Sequence, residues 1–301
     1  ITGIRRQPLG LLYIASSLRK AGYNPELLNC HTGKKNVMDL PVELRYLREF
    51  INHPDPLLRF PFKNYTHYGM SWQEIEARIK KTEADLYLIS SLFTTYCRET
   101  ERIISIIRKY NPNTLIAAGG YHPSLYPEYF IYKAGVDFII NGEGESAVVQ
   151  LVQTIEHGGR AEDIPGIISR KSSDEQKKLM SDAPDIKDLP FPARDLLLNR
   201  DFKAYRKNFV SMITSRGCPN RCEFCTGRTI WGNRYRSREI EDVLKEIEHC
   251  CKNSGADIIN FEDDNLFPAK KRAQELLFEI TKMKERMNFS VEFTAMNGIS
   301  L

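Results

Sequence analysis

Three of the seven cysteines in this 301-residue chain fall close together, as Cys218, Cys222 and Cys225. Cysteine thiolates bind the irons of iron–sulfur clusters, and a cubane takes one ligand at each iron. Three closely spaced cysteines therefore leave one iron of a [4Fe–4S] cluster without a protein ligand, open to a reacting molecule. Zinc is the competing occupant, because Cys-x2-Cys also occurs in zinc sites, but a closed structural zinc takes a fourth ligand. No second Cys/His pair stands at finger spacing. His249, Cys250 and Cys251 are the nearest candidates, and Cys251 falls on the apolar face of a helix, where a buried small residue belongs.

Other residues suited to chemistry lie at the carboxyl ends of expected strands. Gly119-Gly120-Tyr121-His122-Pro123 and Gly142-Glu143-Gly144-Glu145 each follow an apolar run, and Glu262-Asp263-Asp264-Asn265 follows a third. Such ends are where open α/β sheets bind ligands. Each glycine pair also reads as a plain turn, and each acid as a solvated helix cap. Both readings stand at this point.

The elements that position these residues alternate between helix and strand. Leu11, Ile14, Ala15, Leu18 and Ala21 recur at helical spacing after Pro8, and Gly22 stops that helix before a strand expected at 25–29. Residues 31–66, with four prolines and no clear period, read as an irregular insertion holding one helix around 42–51. Ser71 and Glu74 form a capping box that opens a helix through Lys81. Strands are expected at 85–90, 114–118 and 137–141, with helices between and after them using Ile103, Ile106, Ile107 and Tyr110, then Val148, Val149, Val152 and Ile155. Residues 161–206 turn polar and proline-containing, as a connector does. A second series follows, with strands at 209–215, 257–261 and 290–295. Its helices are one capped by Ser237 with Ile240, Val243, Leu244, Ile247 and Cys251 on one face, and one from Pro268 to about Met287. Alternation of this kind predicts α/β layers on a parallel sheet.

A composition of 42% hydrophobic and 27% charged residues is that of an ordinary globular protein, with room for two domains. The net charge of +4 is spread over scattered basic residues, so no nucleic-acid footprint is present. No apolar run approaches the roughly 18 residues that cross a bilayer, and the start lacks a signal-peptide pattern, so no membrane span is expected. Dispersed cysteines outside the cluster loop fit a reducing, cytoplasmic setting.

The loop Ser215-Arg216-Gly217-Cys218-Pro219-Asn220-Arg221-Cys222-Glu223-Phe224-Cys225, placed directly after a strand, resembles the radical S-adenosylmethionine (SAM) superfamily. Preceded in order by Pro8-Leu9-Gly10, Gly119 to Pro123, Gly142 to Glu145 and Leu189-Pro190-Phe191-Pro192-Ala193-Arg194-Asp195, it resembles the enzymes of that group that carry a cobalamin (B12)-binding domain. The resemblance covers nearly the whole chain except 31–66. It implies a Rossmann-like, flavodoxin-like cobalamin-binding domain over 1–160, lacking its first strand, the connector 161–206, and over 207–301 the N-terminal half of a partial (β/α)6 radical SAM barrel with only three strands. It implies a [4Fe–4S] cluster on Cys218, Cys222 and Cys225 whose free iron chelates SAM, Phe224 against the adenine, and Asp263 and Asp264 toward the SAM amino group. The loops 90–95, 119–123 and 142–145 would line the corrinoid, with Ser90, Thr94, Gly119, Gly120, His122, Gly142, Gly144 and Glu145 as contacts. The Asp-x-His-x-x-Gly element that ligates cobalt elsewhere is absent, so His122 is expected to hydrogen-bond within its loop and not to bind cobalt.

The activity so implied is reductive cleavage of SAM to a 5′-deoxyadenosyl radical, used for C-methylation of an unactivated carbon. The implied partners are an electron donor such as flavodoxin or ferredoxin and an unidentified small-molecule or peptide substrate. A cyclisation, rearrangement or oxidation on the same architecture is the first alternative. A methylthiotransferase is the second, although the N-terminal part has only Cys30 and Cys97 where that family places three cysteines. The third is a non-enzymatic Fe–S or zinc module.

Overall fold

The computed structural model describes residues 7–33, 35–59, 64–197, 202–204, 207–232, 234–288 and 290–299. These divide into two compact units, residues 28–81 and a larger unit made of 1–27 and 82–301.

The smaller unit is more regular than its sequence implies. Lys35–Met38 and Tyr65–Tyr68 pair as antiparallel strands, and the expected helix is split into a 3-10 segment Val42–Leu47 and a short helix Arg48–Ile51. The capping box is present: the Ser71 amide donates to Glu74 Oε2 (2.7 Å) and the Glu74 amide to Ser71 Oγ (3.2 Å), opening the helix Trp72–Lys81.

In the larger unit, Leu86–Ser90, Leu115–Gly119 and Phe138–Ile140 form a parallel sheet in that order, in register so that Ser90 lies beside Gly119 and Gly119 beside Ile140. Sequence reading misses its fourth strand, Ile167–Ile168, which lies in the supposed connector and pairs antiparallel with Phe138–Ile140. Residues 25–29 form no strand, because no neighbouring backbone pairs with them. The helix Leu9–Lys20 ends where Gly22 turns to φ +92°, and it packs with Gly144–Glu156 on the sheet. Leu18, Ala147, Val148 and Leu151 bury themselves there against Ala117, Ile140 and Ile167. In the helix Cys97–Tyr110 the buried stripe is Thr100, Ile104, Ile106 and Ile107, and Ile103 and Tyr110 of the expected stripe are only half buried.

The second sheet runs Glu292–Ala295, Ile258–Phe261, Lys207–Met212, all parallel, with Lys203–Ala204 antiparallel at the edge. The described strands form an open sheet and not a closed barrel. One face, Val210, Met212, Ile259 and Phe261, packs on Val243, Ile247, Leu276, Ile280 and Met283 of the helices Ile240–Ser254 and Lys270–Met287. Alternation along the strands puts polar groups on the other face. There Ser211 and Asn260 are fully buried, Ser211 Oγ and Asn260 Nδ2 both donate to Glu262 Oε1 (3.0 and 2.7 Å), and Thr294 Oγ1 donates to Asn260 Oδ1 (2.9 Å).

Two expectations about the helix Ile240–Ser254 change. Ser237 does not cap it; Ser237 pairs with Ser215 in a two-residue antiparallel ladder, and Glu239 stands at the cap without a side-chain bond. The buried cysteine is Cys250, with Cys251 only partly buried. The cause is helical spacing: Val243, Ile247 and Cys250 recur four and three residues apart and put Cys250 on the buried face.

Candidate active site

The cysteine loop is built as a hairpin excursion. Ser215–Arg216 pairs with Arg236–Ser237, and the described residues 217–232 and 234–235 lie between them. Gly217 makes the exit turn at φ +81°, where a Cβ would lie 2.2 Å from the Arg234 carbonyl oxygen. Gly217→Ala therefore imposes about 1–3 kcal/mol of backbone strain in addition to the clash. The expected outcome is a lower melting temperature and faster protease cleavage within 217–235; unchanged digestion would refute the assigned turn.

Cys222 and Cys225 are exposed, Cys218 is partly buried, and all seven cysteines are free thiols. The Asn265 amide donates toward Cys218 Sγ (3.8 Å), and the Gly227 N–H toward Cys225 Sγ (3.4 Å). Three thiols on one loop, two of them with an N–H aimed at sulfur, are donors of the kind an iron–sulfur cluster takes. The sulfurs share the loop without converging: among the described residues no three Cys, His, Asp or Glu side chains gather closely enough to hold an ion. Phe224, 90% exposed, projects from the same turn.

The acids after Ile258–Phe261 divide in their roles. Asp263 is buried and accepts from the Thr214 amide, Thr214 Oγ1 (2.8 Å) and Ser215 Oγ, which ties the strand end to the root of the hairpin. Burial raises its carboxyl above the usual range, and those bonds oppose the rise. Asp264 is half buried and accepts from the Gly217 amide; burial raises it too, with that bond and the Arg216 charge acting against.

The glycine motifs of the first sheet face this hairpin. Glu143 and Glu145, both buried, hold the Arg216 guanidinium: Nη1 donates to Glu143 Oε2 (2.6 Å) and Nη2 to Glu145 Oε1. Arg236 binds the second oxygen of Glu143. Burial by itself lowers the Arg216 pKa, and the charges of Glu145 and Glu143 overcome it, so the group is held firmly protonated. Arg216 also stacks on Tyr13 and Trp231, with ring centroids at 5.2 and 5.4 Å. Trp231 Nε1 donates to the hydroxyl of Tyr121 (2.9 Å), whose pKa is raised by burial and then by the Asp264 charge. The freedom of Gly142 is used against protein: at φ +108° its Cβ would stand 2.7 Å from Ser181 Oγ, and Ser181 donates to the Glu143 carbonyl (2.6 Å). Gly144 is likewise closed in, by Ile14.

His122 is buried, with Nδ1 3.0 Å from Thr94 Oγ1 and its ring against Tyr126 and Phe130. Burial lowers its pKa, with Glu101 opposing, so the ring is favoured neutral. Ser90 and Thr94 are exposed at the carboxyl end of the sheet beside Gly119 and Gly120. Around them Leu92, Phe93, Tyr96, Leu125 and Tyr126 leave apolar surface in solvent. Exposed apolar side chains grouped near the end of a sheet are the kind of surface that binds a ligand.

Sequence reading missed Tyr13, Tyr121, Arg194, Arg216, Trp231, Arg236 and Glu246. Tyr121, Arg194 and Arg216 stand within the sequence motifs, which was the available signal. Arg194 Nη2 donates to Ser211 O (2.7 Å) and Glu246 Oε1 (2.6 Å), and Arg238 Nη1 to Ile213 O (2.9 Å) and Glu246 Oε2.

Residues 62–152 match the B12 binding domain family. The chain is 25% identical over 300 residues to cytidylyl-2-hydroxyethylphosphonate methyltransferase of Streptomyces wedmorensis, covering 89% of this chain and 53% of that protein. It is 25% identical over 303 residues to hopanoid C-3 methylase of Methylococcus capsulatus, covering 96% and 48%. It thus spans about half the length of these relatives. In fold it is similar to the radical S-adenosylmethionine methyltransferase TsrM from Kitasatospora setae, solved with cobalamin and [4Fe-4S] cluster bound, at TM-score 0.64 and 18% identity over 94% of this chain and 49% of that one.

Proposed function

We propose that this chain is the cofactor-binding part of a cobalamin-dependent radical SAM methyltransferase acting on an unactivated carbon, a reading supported by the B12 binding domain match over residues 62–152 and by the similarity to methyltransferases along most of the chain. In this reading residues 1–160 bind the corrinoid, 161–206 connect, and 207–301 bind cluster and SAM. When bound, the cluster supplies one electron for cleaving SAM and the corrinoid supplies a transferable methyl group.

The residues of the chain have distinct tasks in this reading. Cys218, Cys222 and Cys225 ligate the irons. Phe224 covers the adenine, and Asp264 receives the SAM ammonium group by a charge-assisted hydrogen bond. Asp263, with its oxygens turned to Thr214 and Ser215, positions the loop root. Leu92, Phe93 and Tyr126, together with Ser90, Thr94, Gly119 and Gly120, would hold the corrinoid. His122 holds its Nδ1 on Thr94 and stays off cobalt. The enzyme works in the cytoplasm with a flavodoxin- or ferredoxin-type electron donor on a small-molecule or peptide substrate; among the described residues no helix is long and apolar enough to cross a membrane.

The observation that most supports the reading is the grip of the first sheet's glycine loops on the cysteine hairpin, through Glu143 and Glu145 on Arg216 and Tyr121 on Trp231. Such a grip keeps two cofactors in reach of one substrate. The test is titration of the full chain with hydroxocobalamin. Saturable binding is expected, and His122→Gln should leave the visible spectrum of the bound corrinoid unchanged. Absence of binding would remove the corrinoid assignment; a spectral change in His122→Gln would overturn the unligated histidine.

A further inference from the structure

Arg216 precedes the first cluster cysteine by two residues, yet its guanidinium donates to Glu143 and Glu145, in a loop of the other sheet. Its guanidinium is buried, shared between Glu143 and Glu145, and sandwiched by Tyr13 and Trp231. Trp231 stands at the far side of the same hairpin loop, at the end of the helix Arg228–Trp231, and reaches Tyr121 in the loop that begins Gly119-Gly120. One connected set of side chains thus joins both glycine loops of the B12-binding domain to both sides of the cysteine loop. Arg236, on the returning strand, closes the set on Glu143.

The chemistry of the set is demanding. Two carboxylates and two guanidiniums balance in charge only if all four are in place, and removing one partner of a buried ion pair leaves an uncompensated charge. The planar fork of arginine satisfies two carboxylates while stacking on aromatic faces, which a lysine ammonium does not do. The hairpin therefore has one well-defined seat on the first sheet. A shift of either glycine loop, of the kind that packing a large ligand beside Gly120 and Tyr121 would bring, moves Glu143, Glu145 or Tyr121 and so moves the hairpin.

We propose that Arg216 is a positioning residue that couples the two cofactor sites: ordering of the cysteine loop by its cluster and binding of corrinoid to the first sheet favour one another through Arg216 and its partners. The inference rests on the cofactor assignment made above. Linkage makes such coupling reciprocal, so it is measurable from one side as the ratio of corrinoid dissociation constants without and with the cluster.

The experiment measures hydroxocobalamin affinity by absorbance titration for the full chain, cluster-free and after anaerobic cluster reconstitution, in wild type, Arg216→Lys and Trp231→Phe. The wild-type ratio is expected to be on the order of five-fold or more. Arg216→Lys should bring it to near unity while both forms still bind corrinoid and the reconstituted form still carries iron. Trp231→Phe, which keeps the ion pairs and loses the indole N–H, serves where the lysine variant fails to fold and should lower the ratio as well. A purely structural role would weaken both affinities equally and leave the ratio intact. An unchanged ratio in the variants, or no coupling in wild type, overturns the proposal. Wild type that takes up neither corrinoid nor iron would instead overturn the cofactor assignment, and the coupling with it.

Discussion

Glu246→Gln is expected to lower the unfolding free energy of the cluster-free chain by about 3–5 kcal/mol, the usual cost of breaking a buried ion pair from one side. Glu246 has no exposed surface, and each of its oxygens receives one arginine, Arg194 and Arg238. Both arginines are themselves buried, and each also donates to a backbone carbonyl near the end of Lys207–Met212, Ser211 O and Ile213 O. Glutamine keeps one acceptor but turns N–H donors toward a guanidinium and leaves two buried cations without a counter-charge. Equilibrium guanidinium unfolding measures the loss. Glu248→Gln is the matched control, since its pair with Lys252 on the helix surface is of the kind worth about 0.3–0.5 kcal/mol. Equal losses for the two variants would mean that the Arg194–Glu246–Arg238 set is solvated and carries no special burden.

The second large effect is on metal content. Alanine at Cys218, Cys222 or Cys225 should each reduce iron and sulfide after anaerobic reconstitution to background, because a cubane that keeps one open iron has no ligand to spare. Cys30→Ala, Cys250→Ala and Cys251→Ala should retain the cluster. Burial supplies the reason for two of them: it pushes the Cys250 thiol up to about 12 and the Cys30 thiol up to about 11, far from the thiolate form that binds iron. Full iron content in any of the first three variants, or its loss in Cys251→Ala, would contradict the ligand assignment.

Much of the α/β order was legible because it rests on local patterns. The helix Leu9–Lys20 announces itself through apolar spacing and a stop at Gly22, and Trp72–Lys81 through its capping box. Strand bounds shifted by one to three residues, and the last helix begins at Lys270 instead of Pro268. The failures have a common source. Ile167–Ile168 is a two-residue strand that exists because Phe138–Ile140 offers it an edge, and nothing in its own surroundings marks it. Ser237 looks like a cap until Ser215 pairs with it. Cys251 satisfies the helical apolar stripe, but the buried face runs through Val243, Glu246, Ile247 and Cys250.

The site shows the same division. The three-cysteine spacing, the glycine turns and the acids after Ile258–Phe261 could be identified one segment at a time, since each depends on residues a few positions apart. What Glu143 and Glu145 do could not, because their partner Arg216 lies 73 and 71 residues away. An acid next to a glycine reads equally as a ligand contact or a surface turn, and its role is settled by whether the fold removes it from water. The sequence by itself determined which side chains carry metal-binding and turn-forming chemistry, and the order in which they occur. Only the tertiary structure decided that the Gly142 to Glu145 acids grip the cysteine hairpin and that Asp263 braces its root, because the strength of a charged contact is set by burial, and burial is a property of the assembled chain.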